Sequence, residues 1–146
     1  LKGQAVLVLD VSGAGCLEPN PISKFAIHDG YGTLRRLSDD LIWLDDSMPA
    51  LRTYDVIRTI DVIGQFPGLK KDALSVYGSG KYGLYGQLAA YIDSRIKKVT
   101  IEGGLTSFSE LVNSKYYDSF DMKSVIFPGI LKYIDTDEID RYLASL

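Results

Sequence analysis

One cysteine, one histidine and one tryptophan stand in 146 residues. Cys16 by itself can neither close an intrachain disulfide nor hold a zinc ion or an iron–sulfur cluster. His28 alone leaves no histidine-based metal site, so neither a metal nor a cofactor is expected. Long apolar runs are also missing. Ala5–Leu9 behind Lys2 is cut off by Asp10, too short for a signal-peptide core or a bilayer span. The lack of a signal peptide in the segment favours the cytoplasm, and no membrane partner is expected. Positive charge is not in excess: 16 Lys and Arg against 19 Asp and Glu give a net charge of −3. That balance argues against a nucleic-acid binder working by phosphate neutralisation. No internal repeat or low-complexity stretch is found.

What is present is ordinary globular composition, 46% hydrophobic and 24% charged, in a length that fits a single domain, 1–146. Such a chain can bury roughly two-thirds of its unfolded surface. The first residue is Leu1, and Leu146 falls within a helical pattern, so the segment is expected to be incomplete at both ends.

The apolar run of Ala5–Asp10 reads as a strand buried on both faces. Ser12–Asp40, rich in Gly, Pro, Asn and Asp, reads as a long loop. Asp45-Asp46-Ser47-Met48-Pro49 offers cap residues and a first-turn proline. Beyond them Leu51, Tyr54, Ile57, Ile60 and Ile63 recur on a helical face that Gly64 and Pro67-Gly68 end. Ala73–Tyr77 is a strand, Gly78–Gly83 a glycine-rich turn, Leu84–Ile92 a helix and Val99–Glu102 a strand. Strand, tight turn, helix and strand within about thirty residues form a βαβ crossover with parallel strands. Ser107–Asn113 and Thr136–Leu143 carry further helical patterns, with a fourth strand near Val125–Phe127. The fold class is α/β, a doubly wound, mainly parallel sheet. The edges of so narrow a sheet need the remainder of the chain or a homo-oligomer partner to cover them.

The turn Gly78-Ser79-Gly80-Lys81-Tyr82-Gly83 fits two kinds of chemistry. As a dinucleotide fingerprint, Gly78, Gly80 and Gly83 precede a helix whose amides meet a pyrophosphate, and Glu102 is the acid for a ribose. As a nucleophile elbow it is a sharp strand-to-helix turn. A phosphate-binding P-loop fails, because Tyr82 follows Gly80-Lys81 and Ser75 replaces the first glycine.

Several separated segments decide between the two. YDVIRTIDVI (54–63), LSVYGSGKYGLYGQLAAYID, RIKKVTIEGGLTSFSELV and FPGILKYID stand in order, with Arg52, Asp55, Arg58 and Asp61 stepping three apart on the helix before the turn. Together these resemble acetyl-xylan-esterase-like α/β-hydrolases over most of Leu51–Leu146, and Ala5–Gly15 fits an earlier strand. The resemblance implies a partial α/β-hydrolase core whose relatives cleave carboxylic esters, acetyl esters of sugars among them. The partner expected is thus a small-molecule ester or sugar ligand.

The resemblance also implies a degenerate site. It lays Gly80 on the nucleophile position, Ser79 just before it, and Tyr82 on a position for a small residue. Glycine suits the φ > 0 elbow conformation, yet has no side chain to attack a carbonyl. Taking Ser79 as the catalytic nucleophile instead puts Tyr77 and Lys81 on the glycine positions. The acid and histidine of the triad follow later strands in this family, and His28 precedes the turn. Two readings stand beside the hydrolase-related one: an inactive hydrolase-like binding scaffold, and a Rossmann-type βαβ unit using Gly78, Gly80, Gly83 and Glu102.

Simpler roles accompany each residue. Ser79 is a turn residue bonding nearby backbone, Glu102 an anchor for Gly103-Gly104, and His28 a solvated loop residue. Arg52, Asp55, Arg58 and Asp61 pair along a solvated helix face. Asp135, Asp137, Glu138 and Asp140 form the acidic start of a helix rather than a calcium loop. Most tyrosines, Tyr54, Tyr85 and Tyr91 among them, are expected in the core or at its boundary.

Overall fold

The computed structural model describes residues 3–19, 32–70, 72–116 and 122–145. His28 lies outside them. The elements are α1 (Thr33–Trp43), α2 (Met48–Ile63), β1 (Leu74–Ser79), α3 (Lys81–Ile92), β2 (Ile96–Glu102), α4 (Phe108–Asn113) and α5 (Thr136–Leu143), with short 3-10 turns at Gly15–Leu17, Met122–Ser124 and Ile130–Lys132. The chain is a mixed α/β structure. Among the described residues its sheet has two parallel strands, β1 beside β2.

Local chemistry sets the helix ends. Ser47 caps α2 by accepting from the Ala50 amide at 3.2 Å, proline lies in the first turn, and Gly64 follows the last residue. Ser107 caps α4. Asp135 and Glu138 form a reciprocal capping box at the start of α5, so the acidic run there opens a helix as its sequence suggests.

α3 is the hub. Residues 83–90 are all buried, because α3 packs on both strands, on α2 and on α5. Leu84, Tyr85 and Leu88 join Val11, Ala14, Phe108 and Ile139 in one cluster. Ala89 and Ala90 join Ile60 and Ile96 in another. Full burial of each large apolar side chain contributes roughly 1.5–3 kcal/mol. Small residues let backbones approach: a Cβ on Gly86 would lie 2.6 Å from Val76 Cγ1. The strands alternate, with Leu74, Val76, Gly78, Val99 and Ile101 more buried than Ser75, Tyr77, Ser79, Thr100 and Glu102.

Several expectations are corrected. Ala5–Asp10 forms no strand with any described residue; Val6 is 72% and Val8 88% exposed. An apolar run becomes a strand only where a partner edge accepts its backbone. Here the buried anchors are Val11 and Ala14, just past the run. Val125–Phe127 is turn and irregular backbone, not a strand, and Thr33–Asp40 is helical rather than loop. β2 begins at Ile96, three residues before Val99, and α3 at Lys81 rather than Leu84. Of the three tyrosines expected in the core or at its boundary, Tyr85 is buried, whereas Tyr54 is 57% and Tyr91 42% exposed.

Candidate functional site

The carboxyl ends of β1 and β2 lie side by side, the position where parallel α/β sheets bind ligands. β1 ends at Ser79 and α3 begins at Lys81, so the direction change falls on Gly80 alone. Gly80 has φ +56° and ψ −135°, a conformation that costs an L side chain strain energy of order 1–3 kcal/mol. Its N–H donates to the Glu102 carbonyl at 2.8 Å, and its carbonyl accepts from Gly83 N–H at 3.0 Å. A Cβ built at Gly80 meets nothing nearer than Gly103 O at 3.8 Å beyond its chain neighbours. Conformation alone therefore restricts the position, not space.

Gly78 and Gly83 hold this turn tight. A Cβ on Gly78 would lie 2.6 Å from Gly83 Cα, and one on Gly83 would lie 2.4 Å from Ile101 Cγ2. Strand and helix thus meet backbone to backbone. Tyr82, expected to crowd the elbow, instead turns outward, 43% exposed, with its ring edge-on to Tyr85 at 6.0 Å. Gly83, one residue later, supplies the close approach.

Ser79 is the last residue of β1 rather than a turn residue. It is exposed and is the register partner of Glu102. Glu102 accepts a hydrogen bond on Oε2 from the Tyr77 phenol. That bond, with the carboxylate's charge, raises the Tyr77 pKa. Tyr77, Ser79 and Glu102 thereby share one rim beside the elbow. Gly78, Gly80 and Gly83 share the turn itself.

Behind the site, Arg52 is buried, which solvated-face pairing had not suggested. Its Nε donates to Ser12 O at 2.9 Å, and its Nη1 to Tyr85 Oη at 2.8 Å and Ser124 Oγ at 3.1 Å. Asp55 accepts from Ser12 N at 2.7 Å. Arg52 and Asp55, one turn apart, thus grip both polar groups of one residue in the segment before α1. Only Arg58 and Asp61 pair along the exposed helix face, at 2.7 Å, and Asp61 also meets Arg95 at 2.9 Å. A three-residue step rotates about 60° short of a full turn, so a series that starts in the core ends in water. Tyr85 donates in turn to Ser124 O at 2.8 Å. Burial raises its pKa against the lowering influence of Arg52 and Ser124.

Asp135 ties the region beyond β2 together. Its carboxylate accepts from Phe108 N at 2.6 Å, Ser109 N at 3.0 Å, Ser107 Oγ at 2.8 Å and Thr136 N at 2.7 Å. Burial acts to raise this carboxyl, yet the donors of Ser109, Ser107 and Phe108 outweigh it and hold it well below the usual carboxylate range. It therefore caps two helices and has no acceptor capacity directed at a ligand.

Among the described residues no helix is long and apolar enough to cross a membrane. No protein-family model matches the chain, no curated protein is significantly similar to it, and no solved structure significantly matches its fold.

Proposed function

We propose that this chain is a doubly wound α/β-hydrolase-type unit related to carboxylic (acetyl) ester hydrolases, with its elbow built around glycine in place of a nucleophile. The observation that carries the reading is Gly80: one residue with φ +56° between a strand and a helix, where a Cβ would meet nothing nearer than Gly103 O at 3.8 Å. A nucleophile elbow needs that backbone, and a working one needs a side chain on it. With neither a nucleophile at the elbow position nor a histidine among the described residues, the site binds a small ester or sugar ligand without cleaving it, as an inactive scaffold does.

The dinucleotide alternative is less well supported. It needs free amides at the glycine turn for a pyrophosphate, and the amide of Gly80 is already bonded to Glu102 O, as Gly83 N–H is to Gly80 O. The ribose-binding acid of that reading, Glu102, already accepts from the Tyr77 phenol.

Steady-state hydrolysis of p-nitrophenyl acetate tests the proposal. The wild-type chain is expected to show no turnover above the buffer rate, and Ser79→Ala no change from it. Turnover by the wild type that Ser79→Ala abolishes would make Ser79 the nucleophile and overturn the reading.

A further inference from the structure

We propose that Glu102 selects ligands at the elbow by charge, disfavouring anionic groups and accepting neutral or cationic ones. The inference rests on the elbow reading above and gives that site a ligand class. Glu102 closes β2 as the register partner of Ser79, the residue just before the elbow, and its own carbonyl takes the Gly80 N–H at 2.8 Å. Its backbone position relative to the elbow is therefore fixed by a direct bond.

Its side chain emerges on the exposed face with those of Ser79 and Tyr77, since alternate strand residues share a face. The Tyr77 phenol bonds the carboxylate and so orients it along the rim. Among the described residues the elbow side of this rim is formed by glycines. Gly80 has no side chain, and Gly103, at φ +62°, is followed by Gly104; a Cβ on Gly103 would meet nothing within 4 Å. The described hydrogen bond to its carboxylate comes from a neutral phenol. Lys81, beside the elbow, holds its Nζ over the Tyr82 ring at 5.6 Å and acts on Tyr85, which α2 binds through Arg52. An anion approaching Gly80 therefore meets the Glu102 carboxylate at the rim, an exposed charge whose salt-screened repulsion opposes the attraction of the α3 N-terminus.

The experiment uses the full chain carrying Gly80→Cys in a Cys16→Ser background. Its thiol is acylated by neutral p-nitrophenyl acetate and by the anionic p-nitrophenyl ester of 4-sulfobenzoic acid, and the ratio of the two rates is read. Using the ratio cancels any change in the thiol itself. Glu102→Gln is expected to raise the relative rate of the anionic ester by about three- to tenfold, and Glu102→Asp to keep the original ratio. Salt at about 0.5 M should erase most of the difference. Tyr77→Phe, which removes the bond but keeps the charge, should move the ratio far less than Glu102→Gln. Ser79→Cys, also in a Cys16→Ser background and alkylated by iodoacetamide and iodoacetate, repeats the reading should residue 80 tolerate no side chain. A ratio that Glu102→Gln leaves unchanged in both proteins overturns the proposal. A sluggish thiol at position 80 beside a charge-sensitive one at position 79 would instead count against the elbow alone.

Discussion

Arg52 Nη1 donates a 2.8 Å hydrogen bond to the phenol of Tyr85, joining α2 to the helix that starts at the elbow. Both side chains are buried, at 3% and 1% exposure. Through Ser12 and Ser124 the same guanidinium reaches the segment before α1 and the 3-10 turn at Met122–Ser124. Removing one partner of a buried bond leaves the other desolvated and unpaired. Arg52→Ala should cost about 2–4 kcal/mol and Tyr85→Phe about 1–2 kcal/mol in urea unfolding, and the two should be non-additive. Additive effects would show that the two residues act separately. Arg52→Lys should not rescue, because one ammonium cannot span three acceptors spread around a planar fork.

The glycines of the elbow separate by mechanism. Gly78→Ala forces a Cβ onto the Gly83 backbone and should destabilise the fold by about 1–3 kcal/mol through overpacking. Gly80→Ala makes only ordinary contact with Gly103 O, 3.8 Å away, and pays mainly for its positive φ, about 1–3 kcal/mol. Equilibrium denaturation should therefore show a loss for each variant, and a Gly78→Ala loss below about 1 kcal/mol would contradict the backbone contact with Gly83.

Much of this architecture is legible in the residues themselves, and the parts that are not share a cause. Caps, proline and glycine stops, and the strand–turn–helix–strand order act over a few residues, so Thr136–Leu143 and the end of α2 at Gly64 are readable directly. What a segment meets across the fold is not local. The Ala5–Asp10 run has the composition of a buried strand, yet no described strand edge receives it. Arg52 has the spacing of a surface ion pair, yet a three-residue step drifts around the helix, so Arg52 lies in the core while Arg58 and Asp61 reach water. At the turn, Gly80 was identifiable as a positive-φ position. The outward swing of Tyr82, and Gly83 as the true close contact, depend on how α3 sits on β2.

The exposed run near the start of the chain gives a direct check on that correction. Val6→Ser and Val8→Ser should each change unfolding free energy by less than about 0.5 kcal/mol, as surface substitutions do. A loss of about 1.5 kcal/mol or more for either would return the run to a buried strand.

Asp135 should govern acid stability. Its folded pKa lies below its unfolded value, so it stabilises the fold fully above the ordinary carboxylate range, near pH 4. That contribution is lost progressively as pH falls below this range toward the depressed folded value. Asp135→Asn should lower stability at pH 7 by about 1–3 kcal/mol and flatten the fall of stability between about pH 5 and pH 2. An unchanged slope in that window would assign acid sensitivity to other carboxylates.

The elbow itself is tested most directly by giving it the side chain it lacks. Gly80→Cys in a Cys16→Ser background is mixed with p-nitrophenyl acetate, its folding checked by circular dichroism, and p-nitrophenol release is followed alongside the acetylated mass. A thiol on a strand-to-helix turn at the head of a twelve-residue helix has its pKa lowered and attacks without a histidine. The prediction is a burst of about one equivalent, with the acetyl group on residue 80, at least about tenfold faster than the exposed Cys16 thiol of the wild type. A folded variant whose thiol reacts no faster than Cys16 would contradict the assignment of Gly80 to a nucleophile elbow.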